Sequence, residues 1–114
     1  DNIMKEDSKV EFVEFPLLTY RFIGLKIPAA GGFWLRIFNI NIIADAIRDA
    51  NNSDVPASIF FHNWETDDQV PEFKMPKINH YITYHNHENT KNRLVKLLKL
   101  YQFTSFSRCL LDYL

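Results

Sequence analysis

Between Asn39 and His62 the sequence reads as one amphipathic helix followed by one short apolar strand, and this pairing constrains the fold more than any other feature. Ile40, Ile43, Ala44 and Ile47 fall at the i, i+3, i+4, i+7 spacing of a buried helical stripe, while Asn41, Asp45, Arg48 and Asp49 fall outside it. Asn39 is a ready N-cap, and the polar run at residues 51–54 is a ready end. After Pro56, residues 57–61 are nearly continuous in apolar side chains, as strands covered on both faces are. A helix leading into such a strand is the αβ half of a parallel-sheet protein, so the expected fold class is α/β. In such folds ligands sit at the carboxyl ends of the strands. The string His62-Asn63-Trp64-Glu65 occupies that position here.

The remaining elements arrange themselves around that unit. Residues 9–15 alternate in polarity and read as a short extended segment closed by Pro16. Residues 20–27 read as a β-hairpin or bent strand with Gly24 at the turn. Residues 28–32 are a break, in which Gly31-Gly32 can take positive φ and admit a close neighbour. Residues 33–38 read as extended or as a turn, and the aromatic stretch 78–84 as extended. Asn86 is placed to cap a second helix, with Glu88 in its first turn and Leu94, Leu97, Leu98 and Tyr101 as its apolar stripe. Phe103 and Phe106 are expected to fold back on the same core. At 114 residues and 13.5 kDa the chain is expected to be a single domain, 1–114, with residues 1–9 flexible. A monomer of that mass buries about two thirds of its surface, enough for one modest core.

Composition excludes several function classes. With 46% hydrophobic and 24% charged residues, the chain is not disordered throughout. A formal net charge of -1 gives no global field for nucleic acid, so no nucleic-acid partner is expected. Charge is uneven, however: residues 65–72 carry net -4 and residues 91–108 carry net +5, the latter read as a solvated helix face. The one cysteine, Cys109, supports neither an internal disulfide nor a Cys-rich metal site. No apolar run reaches membrane-spanning length. The start is polar, shows no signal peptide and lacks an initiator Met; a processed chain or a piece of a longer one, in the cytoplasm, is the expectation.

His62 is the first candidate for chemistry, because an imidazole at a strand end can give or take a proton near neutral pH. Trp64 beside it offers an apolar wall or a face for a sugar ring. His80, His85 and His87 invite a metal reading, but no third ligand stands at recognisable spacing, and they read as surface or interaction histidines. Gly31-Gly32 neither matches a phosphate-cradling loop nor opens a helix in this reading. The Asp67-Asp68 pair lies in an acidic loop and no His-x-x-x-His is present. A complete mononuclear hydrolase site is not visible.

Three stretches, in order, resemble the C-terminal region of a subgroup of polysaccharide deacetylases in carbohydrate esterase family four. They are Glu14-Phe15-Pro16 leading to Ile27-Pro28-Ala29-Ala30-Gly31-Gly32-Phe33-Trp34-Leu35-Arg36, then Ile59-Phe60-Phe61-His62-Asn63-Trp64-Glu65, then Asn79-His80-Tyr81 ahead of Asn89-Thr90-Lys91-Asn92-Arg93-Leu94. The resemblance implies a metal-dependent N-deacetylase on an irregular (β/α) barrel, of which this chain would be the C-terminal part. It implies that His62 is the acid that protonates the departing amine, and that Phe33, Trp34, Arg36, Trp64 and Glu65 line the sugar cleft. Asn63 stands where the subgroup has Pro, and Lys77-Ile78-Asn79-His80-Tyr81 lacks the arginines of the Arg-x-Arg-His-Tyr stretch. The metal ligands and catalytic Asp come from an N-terminal part with no counterpart here. The chain is therefore expected to hold no cofactor, with a zinc-like divalent metal belonging to the complete enzyme.

The expected function is the C-terminal segment of a polysaccharide N-deacetylase, inactive alone. Its expected partners are an N-acetylated polysaccharide or oligosaccharide, and a second chain completing the barrel or further copies of itself. The alternative is a stand-alone carbohydrate-binding or protein-interaction module derived from that fold, a third reading being a protein-interaction domain that uses the basic helix from Lys91.

Overall fold

A computed structural model describes residues 13–113. The readings of residues 1–9 as flexible and, for the most part, of 9–15 as extended fall outside the described residues; residues 13–15 have no regular structure. Strand β1 (Thr19–Phe22) pairs antiparallel with β2 (Leu25–Pro28), in the register Thr19↔Pro28 to Phe22↔Leu25. Ile23 (φ 48°) and Gly24 (φ 79°) make the two-residue turn, both left-handed as a twisted hairpin demands. Gly adopts this freely, whereas Ile23 is a β-branched residue under strain there.

The chain then turns inward through the buried Ala29 and Ala30 into α1 (Gly32–Ile37), followed by α2 (Ile40–Asn52), α3 (Lys77–Tyr84), α4 (Thr90–Leu100) and α5 (Phe106–Tyr113). Short 3₁₀ turns sit at Asn63–Thr66 and His87–Asn89. Asn39 caps α2 as expected, its Oδ1 accepting from the Asn41 N–H at 2.9 Å. The core is small: Leu18, Leu35, Ile43, Ala46, Ile47 and Leu97, with Ala29 and Ala30. Leu94, Tyr101 and Phe103 pack against its margin, and the Tyr101 hydroxyl donates to the Ala44 carbonyl at 2.7 Å, tying α4 to α2.

Several readings are corrected. Residues 33–37 and 78–84 are helical, Phe38 alone being extended. Their aromatic and β-branched content favours strands, but tertiary contacts override that propensity. Along α3 and its C-cap, rings meet at i, i+4: His80 and Tyr84 tilted at 4.8 Å, Tyr81 stacked on His85 at 4.4 Å. Residues 57–61 form only single parallel bridges, Leu17↔Ser58 and Gly31↔Phe60, and Phe60 and Phe61 are 48% and 42% exposed. Asn86 does not cap α4: it sits left-handed at φ 53°, and the helix begins at Thr90. Leu98 and Phe106 also face outward, Phe106 stacking on Phe15 at 5.2 Å. The fold is a mixed α/β one whose sheet is a two-stranded antiparallel hairpin, and the described residues close no barrel. No helix among them is long and apolar enough to cross a membrane.

Two substitutions test this account by urea denaturation. Ile43→Ala empties a fully buried position and is expected to cost about 2–5 kcal/mol. Ile23→Asn keeps the turn with a residue that tolerates left-handed backbone, and is expected to raise stability by about 1 kcal/mol. An unchanged or lower midpoint for Ile23→Asn would show that the turn is not strained.

Candidate functional site

The site is built on a buried ion pair. Arg36, on the last turn of α1, and Glu65, in the 3₁₀ turn after residues 57–61, meet at 3.1 Å, with side chains 2% and 3% exposed. Burying two charges costs several kcal/mol each unless their remaining hydrogen-bonding capacity is met. Here it is met. Arg36 Nη1 donates to the Thr83 carbonyl and Nη2 to the Ile82 carbonyl at 3.1 Å, and Nε faces the Gly32 carbonyl at 3.4 Å. The carbonyls of Ile82 and Thr83 lie in the last turn of α3, where a helix leaves acceptors unpaired and favours a cation. Glu65 Oε2 accepts from the His62 backbone N–H at 2.8 Å and lies 3.3 Å from His62 Nδ1. Burial draws the Arg36 guanidinium below its ordinary pKa, and the Glu65 carboxylate opposes that shift.

Gly32 makes the pair sterically feasible. A Cβ there would stand 2.4 Å from Glu65 Oε2, so any side chain would displace the carboxylate. Gly31 does the same for the Phe60 ring, at 3.1 Å. The glycine pair therefore serves close approach, as expected, but with φ in the ordinary range, and Gly32 does open a helix.

Above the pair stand three rings. Trp64 lies between His62 (centroids 6.2 Å, planes 22° apart) and His87 (5.9 Å, 2°), with the Arg36 guanidinium 5.5 Å from its centre. The His87 Nε2–H donates to the Trp64 carbonyl at 2.9 Å. His62 is 64% exposed and Trp64 half-buried, so both can meet a ligand, whereas Arg36 and Glu65 are enclosed beneath them. Phe33 and Trp34 lie apart from the ladder: they contact each other edge-to-face at 5.1 Å, and Trp34 stacks on Phe38.

Two contributors were not legible in the sequence. His87 reaches Trp64 across 23 positions, and no spacing rule links them. Arg93, assigned to a solvated basic face, instead donates through Nη1 to the carbonyls of Leu35 (2.8 Å), Arg36 (3.3 Å) and Phe38 (2.6 Å), closing the C-terminus of α1. One signal was available, a lone Arg among lysines, since guanidinium suits multiple fixed acceptors better than ammonium. Asn86 assists, its Nδ2 donating to the Arg36 carbonyl at 3.1 Å.

The chain matches the family model for DUF3473, a domain of unknown function, over residues 2–111. It belongs to the DUF3473 family. No curated protein matches it, and no solved structure does. In this DUF3473 chain the described residues bring no three His, Cys, Asp or Glu side chains together as a metal site; His80 pairs with Glu72 at 2.6 Å, on the surface.

Glu65→Ala is expected to cost about 3–5 kcal/mol, because it strands the buried Arg36 charge. Gly32→Ala should also destabilise the wild type, by displacing the carboxylate. In the Glu65→Ala background the same change should be neutral or favourable by up to about 1 kcal/mol, since Ala suits a helix better than Gly. Additive losses in this double-mutant cycle, read by thermal unfolding, would separate Gly32 from the ion pair.

Proposed function

We propose that this DUF3473 chain is the C-terminal part of a polysaccharide N-deacetylase and supplies the sugar-facing side of its cleft. DUF3473 is associated with the C-terminal part of such enzymes, which supports the reading. The observation that carries it is the ladder of His62, Trp64 and His87, held rigid from below by the Arg36–Glu65 pair and presented at the end of residues 57–61. Aromatic faces backed by a cation are suited to the apolar face of a sugar ring. A carboxylate acceptor beside His62 Nδ1 favours the proton on that nitrogen and leaves Nε2 to exchange a proton with a bound group. In this reading His62 delivers the proton to the departing amine, Trp64 meets the sugar with its exposed edge, its faces being taken by the two imidazoles, and Arg36 and Glu65 position both without touching substrate.

Among the described residues no three His, Cys, Asp or Glu side chains come together, and in this reading the divalent metal and the catalytic Asp that such chemistry uses are supplied by another part of the enzyme. Exposed Leu17, Phe60 and Phe61, beside the single parallel bridges, suit a sheet that continues into that part as a barrel flank. Alone, the chain would bind sugar without hydrolysing it.

Binding of N-acetylglucosamine oligomers to the chain, followed by calorimetry, is expected to be lost in Trp64→Ala and largely kept in Trp34→Ala. In an enzyme completed by the metal-bearing part, His62→Ala should lower kcat by about 10² to 10⁴ with metal content unchanged. Full turnover by that variant would overturn the assignment of His62.

A further inference from the structure

Away from the ring ladder, an open concavity of about 560 Å³ lies between the start of α2 and one face of α4. That volume lies within the range of small-ligand sites, roughly 300–1,000 Å³. Its lining carries three cations, Arg93, Lys96 and Lys99, three amides, Asn39, Asn89 and Asn92, and no acid. Arg93 is fixed at the inner wall by its three carbonyl contacts. Lys96 and Lys99 are exposed and pair with no carboxylate among the described residues. Three of the five cations of residues 91–108 meet here, although the chain as a whole is slightly acidic.

We propose that this concavity binds a carboxylate-bearing sugar of an acidic polysaccharide. The inference rests on the polysaccharide reading above and deepens it by naming the charge class of the polymer. The cations meet the carboxylate. Asn92 offers both a donor and an acceptor, Asn39 keeps its Nδ2 donors while its Oδ1 caps α2, and Asn89 keeps its Oδ1 acceptor while its Nδ2 donates to Asn86; such a mixed set matches hydroxyls on a sugar ring, and its acceptors would be wasted on a bare phosphate. Ile40 and Val95 supply the apolar part of the floor for the ring face. The joint action of Lys96 and Lys99 makes the affinity salt-dependent. Because α1 carries Arg36 under Trp64 and is closed by Arg93 at this pocket, one rigid helix sets the distance between the two contacts with the chain.

The test is binding of the full chain to polygalacturonate oligomers, with neutral dextran oligomers, inorganic phosphate and phosphatidylglycerol vesicles as parallel probes. The wild type should bind the uronate at least tenfold tighter than dextran or phosphate, and progressively less as salt rises. Lys96→Gln/Lys99→Gln alters exposed side chains only; it should lose that preference while keeping the circular dichroism spectrum and thermal midpoint of the wild type. Uronate binding no tighter than dextran binding, or unchanged in the double variant, would overturn the proposal. Tight binding to the vesicles with none to the uronate would also overturn it and assign the patch to an anionic lipid surface. If N-acetylglucosamine oligomers fail to bind while the uronate binds through Lys96 and Lys99, the deacetylase reading falls and this site stands.

Discussion

The Arg36–Glu65 pair is the interaction on which the rest of the molecule depends. It is nearly devoid of solvent contact in a chain whose apolar core is small, and three segments meet at it. Glu65 draws the 3₁₀ turn onto α1 and holds the His62 backbone; Arg36 closes the end of α3. A buried pair of this kind is not intrinsically a large stabiliser against a well-packed apolar substitute. Its value is directional: each oxygen and nitrogen has an assigned acceptor or donor, so few other arrangements of the three segments satisfy it.

Arginine closes helices twice here. Arg36 takes the terminal carbonyls of α3, and Arg93 takes those of α1. Both helices are short, and α3 buries none of its residues. Such helices are marginal on propensity alone. Side-chain donors at their ends, together with the favourable placement of a cation at a helix C-terminus, replace the missing hydrophobic anchorage. The site inherits its rigidity from these caps, not from deep burial of its rings. The consequence is visible on the surface: Phe60, Phe61, Phe73, Ile78, Tyr81, Ile82 and Leu98 are all substantially exposed, more apolar surface than an isolated small domain ordinarily shows.

Elements with a strong local signature were legible in the sequence. The α2 stripe, its Asn39 cap, the hairpin turn at Gly24 and the close approach at Gly31-Gly32 follow from periodicity, side-chain chemistry and backbone freedom, all of which are local. The position of His62 beside Trp64 and Glu65 was legible for the same reason. The helices at Gly32–Ile37 and Lys77–Tyr84 were not, because aromatic and β-branched residues carry a weak strand preference that long-range contacts overruled.

The sequence by itself thus determined the chain's mixture of strands and helices, its one central helix, its hairpin turn and the residues able to carry chemistry. Only the tertiary structure decided what those residues do: that Arg36 and Glu65 face each other in the interior, that His87 stacks on Trp64, and that Arg93 leaves the basic face to cap α1. The physical reason is range. Helix periodicity and turn chemistry act over a few residues. Partners 23 to 58 positions apart are chosen by which distant groups relieve one another's desolvation, and that choice exists only once the chain has closed.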